Sequence, residues 1–141
     1  MKLERLIFYA LATFIVVLLL AMLIPVRSYD GASKKVQCRI ELSDLRTALN
    51  AFHDKYSNYL TGENSNIARV LAGDNPQKII FLSFHRSAEH PDEMVDPWET
   101  PYKIDFYQQT NFILRSAGKD KIFGDADDII FNSASNDFVK P

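Results

Sequence analysis

Between Ser116 and Asp128 the chain reads SAGKDKIFGDADD, and four aspartates (Asp120, Asp125, Asp127 and Asp128) fall inside nine residues. Carboxylates this close repel one another, so a compact loop built on them needs a cation or strong hydrogen bonds to hold it. Oxygen donors on a loop that Gly118 and Gly124 allow to turn sharply suit calcium. That ion takes about six to eight oxygens, backbone carbonyls included, whereas magnesium demands a tighter octahedron with several waters. The EF-hand spacing is absent, so no helix–loop–helix site is implied. On composition alone a calcium loop and a solvated acidic turn fit the run equally well.

Other candidate chemistry is thinner. A polar stretch from Ser83 to Asp96 holds His85 and His90 among Glu89, Asp92 and Glu93. These residue types ligate zinc, but the spacing fits no compact zinc pattern and cysteine partners are missing, so the stretch reads as a solvated loop. No set of nucleophile, general base and oxyanion donors can be drawn from the chain, and an enzyme is not expected. Cys38 is the single cysteine, which excludes an internal disulfide and reads as a small apolar residue on a helix face. The net charge of −2, with scattered basic residues, leaves no footprint for nucleic acid. No small-molecule substrate is expected either.

The elements that would position the loop follow from hydrophobic periodicity. Leu6 to Val26 carries no charged residue and is long enough to cross a hydrocarbon core of roughly 30 Å as a helix. A cleavable signal peptide is the rival reading. The run is longer than the usual apolar stretch of about 7–15 residues and ends in Pro25-Val26-Arg27, which favours an uncleaved anchor over residues 1–27. Lys2 and Arg5 precede the span, while Arg27, Lys34, Lys35 and Arg39 follow it, so charge counting does not fix the orientation of a whole domain.

From Ser33 to Leu60 the spacing predicts an amphipathic helix. Cys38, Leu42, Leu45, Leu49, Phe52, Tyr56 and Tyr59 form one stripe, suited to packing on a sheet. Asp30-Gly31-Ala32-Ser33 marks a place where the helix can kink. A short helix over Ser65 to Leu71, ended by Gly73, comes next, then an extended run at Ile79 to Leu82. Past Pro97 the period becomes two. Tyr102, Ile104 and Phe106 form one strand, Gln108 to Asn111 a turn, Phe112 to Arg115 a second strand and Ile129 to Phe131 a third. The fold class is α+β: a long N-terminal helix, its first half transmembrane, packed on a small antiparallel sheet.

Two motifs carry a resemblance. The run Asp96-Pro97-Trp98-Glu99-Thr100-Pro101-Tyr102, a hairpin, and then Ser116-Ala117-Gly118-x-Asp120-x-x-x-Gly124-x-x-Asp127-Asp128-Ile129 resemble the C-terminal half of the major (G-type) pseudopilins of type II secretion systems. Pro25 in the apolar span and Lys55-Tyr56-Ser57-Asn58-Tyr59 at the helix end are similar to that family too. The resemblance implies a pilin-like fold and a calcium ion in the acidic loop. Carried over by position, Asp120, Asp127 and Asp128 are the ligands, Asp125 the next candidate, with carbonyls near Ser116 and Ile122. It further implies an inner-membrane protein with residues 28–141 in the periplasm, membrane lipid around the anchor, and other pseudopilin or secretion-system subunits as partners. Trp98 reads as an aromatic cap on the core. The N-terminus departs from the family pattern. No leader glycine precedes a Phe-Thr-Leu-Ile-Glu-like start, and Phe8 stands where the membrane-embedded glutamate would fall. The alternative expectation is therefore a stand-alone anchored, calcium-stabilised interaction module.

Overall fold

The computed structural model describes residues 29–108 and 110–141. The expected membrane span lies outside these residues. Among the described residues no helix is long and apolar enough to cross a membrane. The compact unit runs from Gly31 to Pro141, and its architecture is α+β.

Helix α1 (Tyr29–Tyr56) continues unbroken through Asp30-Gly31-Ala32-Ser33. Its stripe performs as the spacing requires: Cys38, Leu42, Leu45, Leu49 and Phe52 are buried, with Ala48 beside them. The helix stops earlier than the expected Leu60. Ser57 adopts φ 54° and its amide donates to the His53 carbonyl at 2.6 Å, a left-handed exit that closes the last turn. Tyr59 still returns to the core side, its ring stacked on His53 with centroids 4.2 Å apart.

Helix α2 (Asn64–Leu71) buries Ile67, Ala68 and Leu71 and gives way to Gly73 at φ 115°. Its first residue is a clamp. Buried Asn64 donates to the carbonyls of Met94 and Tyr102 at 2.9 and 2.8 Å and accepts the Met94 amide at 2.8 Å. The intervening run Ile79–Leu82 is extended without being a strand, and the Phe81 and Leu82 amides both donate to the Leu71 carbonyl. The stretch expected to be a solvated loop is only partly so. The Asn64 clamp draws Met94, Val95 and Asp96 inside, and Ser87 is buried as well.

Strands β1 (Lys103–Tyr107), β2 (Asn111–Ser116), β3 (Ile129–Asn132) and β4 (Asp137–Val139) form one antiparallel sheet in sequence order. Three of the four stand where strands are expected, and burial alternates along β2 and β3. In β2 the inward residues are Phe112, Leu114 and Ser116, as the two-residue period demands. The fourth strand was not expected. It is three residues long, and only Phe138 turns toward the core, edge-on to its cross-strand partner Phe131. The sheet covers the α1 stripe. Phe112, Leu114, Ile129 and Phe131 share one core with the helix residues, and Trp98 and Tyr102 join it. Each large side chain buried this way contributes about 1.5–3 kcal/mol. Arg39 and Arg46 on α1 lie over the rings of Phe138 and Phe131, fastening the helix to β4 and β3.

Candidate metal centre

The acidic loop is the β2–β3 connection, and its two ends are held together because Ser116 pairs with Ile129 across the sheet. Ser116 is a junction. Its buried hydroxyl donates to Asp96 Oδ2 at 2.6 Å and accepts the Gly118 amide at 3.1 Å. Asp96 Oδ1 in turn accepts the amides of Trp98 and Thr100, each at 2.9 Å. One carboxylate therefore joins the Asp96–Tyr102 turn to the start of the acidic loop. Burial pushes the Asp96 carboxyl above its ordinary range, although the Ser116, Thr100 and Trp98 hydrogen bonds oppose that rise.

Gly118 is demanded by the geometry. At φ 70° it sits in the left-handed region, and a Cβ there would collide with the Asp127 carbonyl oxygen and lie 2.8 Å from Asp127 Oδ2. The loop folds back so that Asp127 lies over its first turn. Asp127 Oδ2 accepts the Lys119 amide at 2.6 Å, and Oδ1 meets the Lys35 ammonium of α1 at 2.9 Å. The Lys35 hydrogen bond, with that from the Lys119 amide, holds the Asp127 carboxyl below its ordinary range.

The remaining three aspartates shape the tip. Asp120 Oδ1 accepts the Ile122 amide at 2.9 Å, and Asp125 Oδ1 accepts the Asp127 amide at 2.7 Å. The Ile122 amide favours a charged Asp120, but the neighbouring Asp125 carboxyl and the Asp127 charge outweigh it, and the Asp120 carboxyl is raised. Asp128 is the buried member, 7% exposed. Its Oδ2 accepts the Gly124 amide at 2.8 Å, while its Oδ1 is buried without a hydrogen-bond partner. A stranded carboxylate oxygen is costly.

All four predicted residues thus lie in one loop, in unequal roles. Asp128 offers a free oxygen, Asp120 and Asp125 stand close enough to repel, and Asp127 has both oxygens engaged. Among the described residues no three Asp, Glu, His or Cys side chains already converge as a ligand set. The donors that are present are hard oxygens on a short turning loop, the donor type that calcium takes, and Asp128 Oδ1 is the one left without a hydrogen-bond partner.

Sequence reasoning missed two participants. Lys35 was counted only among the basic residues after the apolar span, and Asp96 only as a letter of a motif. In the polar stretch before Pro97, His90 Nδ1 pairs with Glu93 Oε2 at 2.9 Å. Cys38 is fully buried on α1, facing the Tyr102 hydroxyl at 3.8 Å, and burial pushes its thiol up to about 11. Against family models, curated proteins and solved structures, the chain has no match.

Proposed function

We propose that this chain is a non-enzymatic, pseudopilin-like structural subunit or accessory of a type II secretion or related pilus-type assembly. Its apolar segment 6–26 anchors it in the bacterial inner membrane, and the domain stands in the periplasm among other subunits of the machine. Its acidic loop binds calcium. The observation that supports the loop assignment is Asp128 Oδ1, a buried carboxylate oxygen without a hydrogen-bond partner in a loop that also carries Asp120, Asp125 and Asp127. Asp128 would hold the ion together with Asp120, Asp125 and loop carbonyls, and Asp127 would join once released from Lys35. When bound, calcium supplies positive charge that cancels the carboxylate repulsion and fixes the loop against the sheet.

A second reading has its own support. Phe8, in place of a membrane-embedded glutamate, favours a stand-alone anchored module that uses the same calcium-stabilised domain to meet another envelope partner. The intact mass and N-terminal modification of the protein purified from membranes separate the two. Removal of a short leader with N-methylation is the outcome expected of a pilus subunit. An intact Met1 contradicts entry into a filament and leaves the anchored module.

A further inference from the structure

This inference rests on the reading of the acidic loop as a calcium site. Asp127 has two oxygens with different kinds of partner. Oδ2 takes the Lys119 amide, a main-chain group fixed by the Gly118 turn, whereas Oδ1 takes the Lys35 ammonium, reaching across 92 residues of sequence from α1. The lysine partner is the movable one. Its side chain is half exposed and, among the described residues, has no other hydrogen-bond partner. Asp128, adjacent in sequence, is anchored by the Gly124 amide on its Oδ2, while Oδ1 is unpartnered and buried.

We propose that Lys35 is a built-in competitor for calcium: its ammonium occupies Asp127 Oδ1 in the metal-free loop and must leave before Asp127 can join Asp128 in holding the ion. An ammonium and a divalent ion on the same carboxylate oxygen would lie only about 4 Å apart, where their like charges repel, so each disfavours the other. The lysine keeps the metal-free loop folded by neutralising one of its four carboxylates, at the expense of affinity for the ion. Releasing Lys35 into solvent costs little, because an exposed ion pair of this kind contributes only about 0.2–1 kcal/mol. Calcium binding thereby breaks the Lys35–Asp127 link between α1 and the loop.

The test uses the full chain in detergent, with Lys35→Met and Lys35→Arg variants. Calcium chloride titrations are followed by calorimetry, and melting is recorded in excess chelator and in saturating calcium. Removing the competitor raises calcium affinity by about two- to fivefold in Lys35→Met, whereas Lys35→Arg stays near wild type. Lys35→Met also melts below wild type in chelator, and the gap closes or inverts in calcium. A lysine that merely supports the loop would lower both midpoints together and weaken the binding. Equal or weaker calcium affinity in Lys35→Met, with wild type binding normally, overturns the competitor role and leaves the calcium site standing. Binding by Lys35→Met alone supports both. Failure of every protein to bind at millimolar calcium removes the site, and the competitor with it.

Discussion

Asp96 offers the sharpest test of how the acidic loop is held. It is 3% exposed and accepts three hydrogen bonds, from the Trp98 and Thr100 amides and the Ser116 hydroxyl. Asp96→Ala strands all three donors. Each unsatisfied buried donor costs about 1–3 kcal/mol. These losses are not additive within one network, so the expected total is about 3–5 kcal/mol. Asp96→Asn should behave very differently. The amide oxygen still accepts the two backbone amides, and its NH2 faces Ser116 Oγ, whose hydroxyl can rotate to accept. The substitution also relieves the desolvation that raises the carboxyl, so its net cost should stay within about 1 kcal/mol. Urea unfolding of residues 31–141 followed by far-ultraviolet circular dichroism measures both. With a slope of about 2 kcal/mol/M, Asp96→Ala lowers the midpoint by about 2 M and Asp96→Asn by no more than about 0.5 M. If Ala is tolerated as well as Asn, Asp96 does not fasten the two motifs and the junction has been misread.

Gly118→Ala combines left-handed strain of about 1–2 kcal/mol with a backbone collision against Asp127 of about 1–3 kcal/mol. Gly124→Ala meets no atom within 4 Å and carries strain alone. Chemical unfolding should therefore rank Gly118→Ala as the more damaging, and the reverse order contradicts the close approach of Asp127. For Cys38, complete burial and a thiol raised to about 11 predict that iodoacetamide labels the native protein only as fast as it unfolds. Rapid labelling without unfolding contradicts this. Because the folded pKa is raised, stability from the protonated thiol is full below the ordinary thiol range and is lost as pH rises through about 11. The stability gap between wild type and Cys38→Ala should accordingly narrow over that alkaline window, and a constant gap would count against a buried, neutral thiol.

Periodicity made the main elements legible. The α1 stripe is a three-four pattern and Tyr102, Ile104 and Phe106 alternate with Lys103 and Asp105, and both follow from which face a side chain must bury; β2 and β3 are short apolar runs whose burial alternates. What the sequence hid has local causes. The helix was expected to reach Leu60 because Tyr59 keeps the stripe's spacing, but the left-handed Ser57 ends the helix and the turn returns Tyr59 to the same side. Strand β4 escaped notice because a three-residue edge strand with one inward ring produces no readable alternation. The stretch before Pro97 looked solvated because its composition is polar. Its burial is imposed from a distance by Asn64, whose side chain supplies the hydrogen bonds that Met94 needs. The acidic loop was legible as a loop and as a charge problem. The partition of labour inside it was not, since the Lys35–Asp127 pair joins residues 92 apart and no local pattern encodes such a contact.

Thermal unfolding of residues 31–141 in calcium and in excess chelator tests the central claim most directly. A site filled at about 100 to 1,000 times its dissociation constant adds roughly 3–4 kcal/mol. In a domain of this size that raises the midpoint on the order of 10 °C. The account predicts such a rise in wild type and its loss in Asp128→Asn, which removes the charge beside the unpartnered oxygen. No rise at millimolar calcium, or a full rise that survives Asp128→Asn, would contradict it.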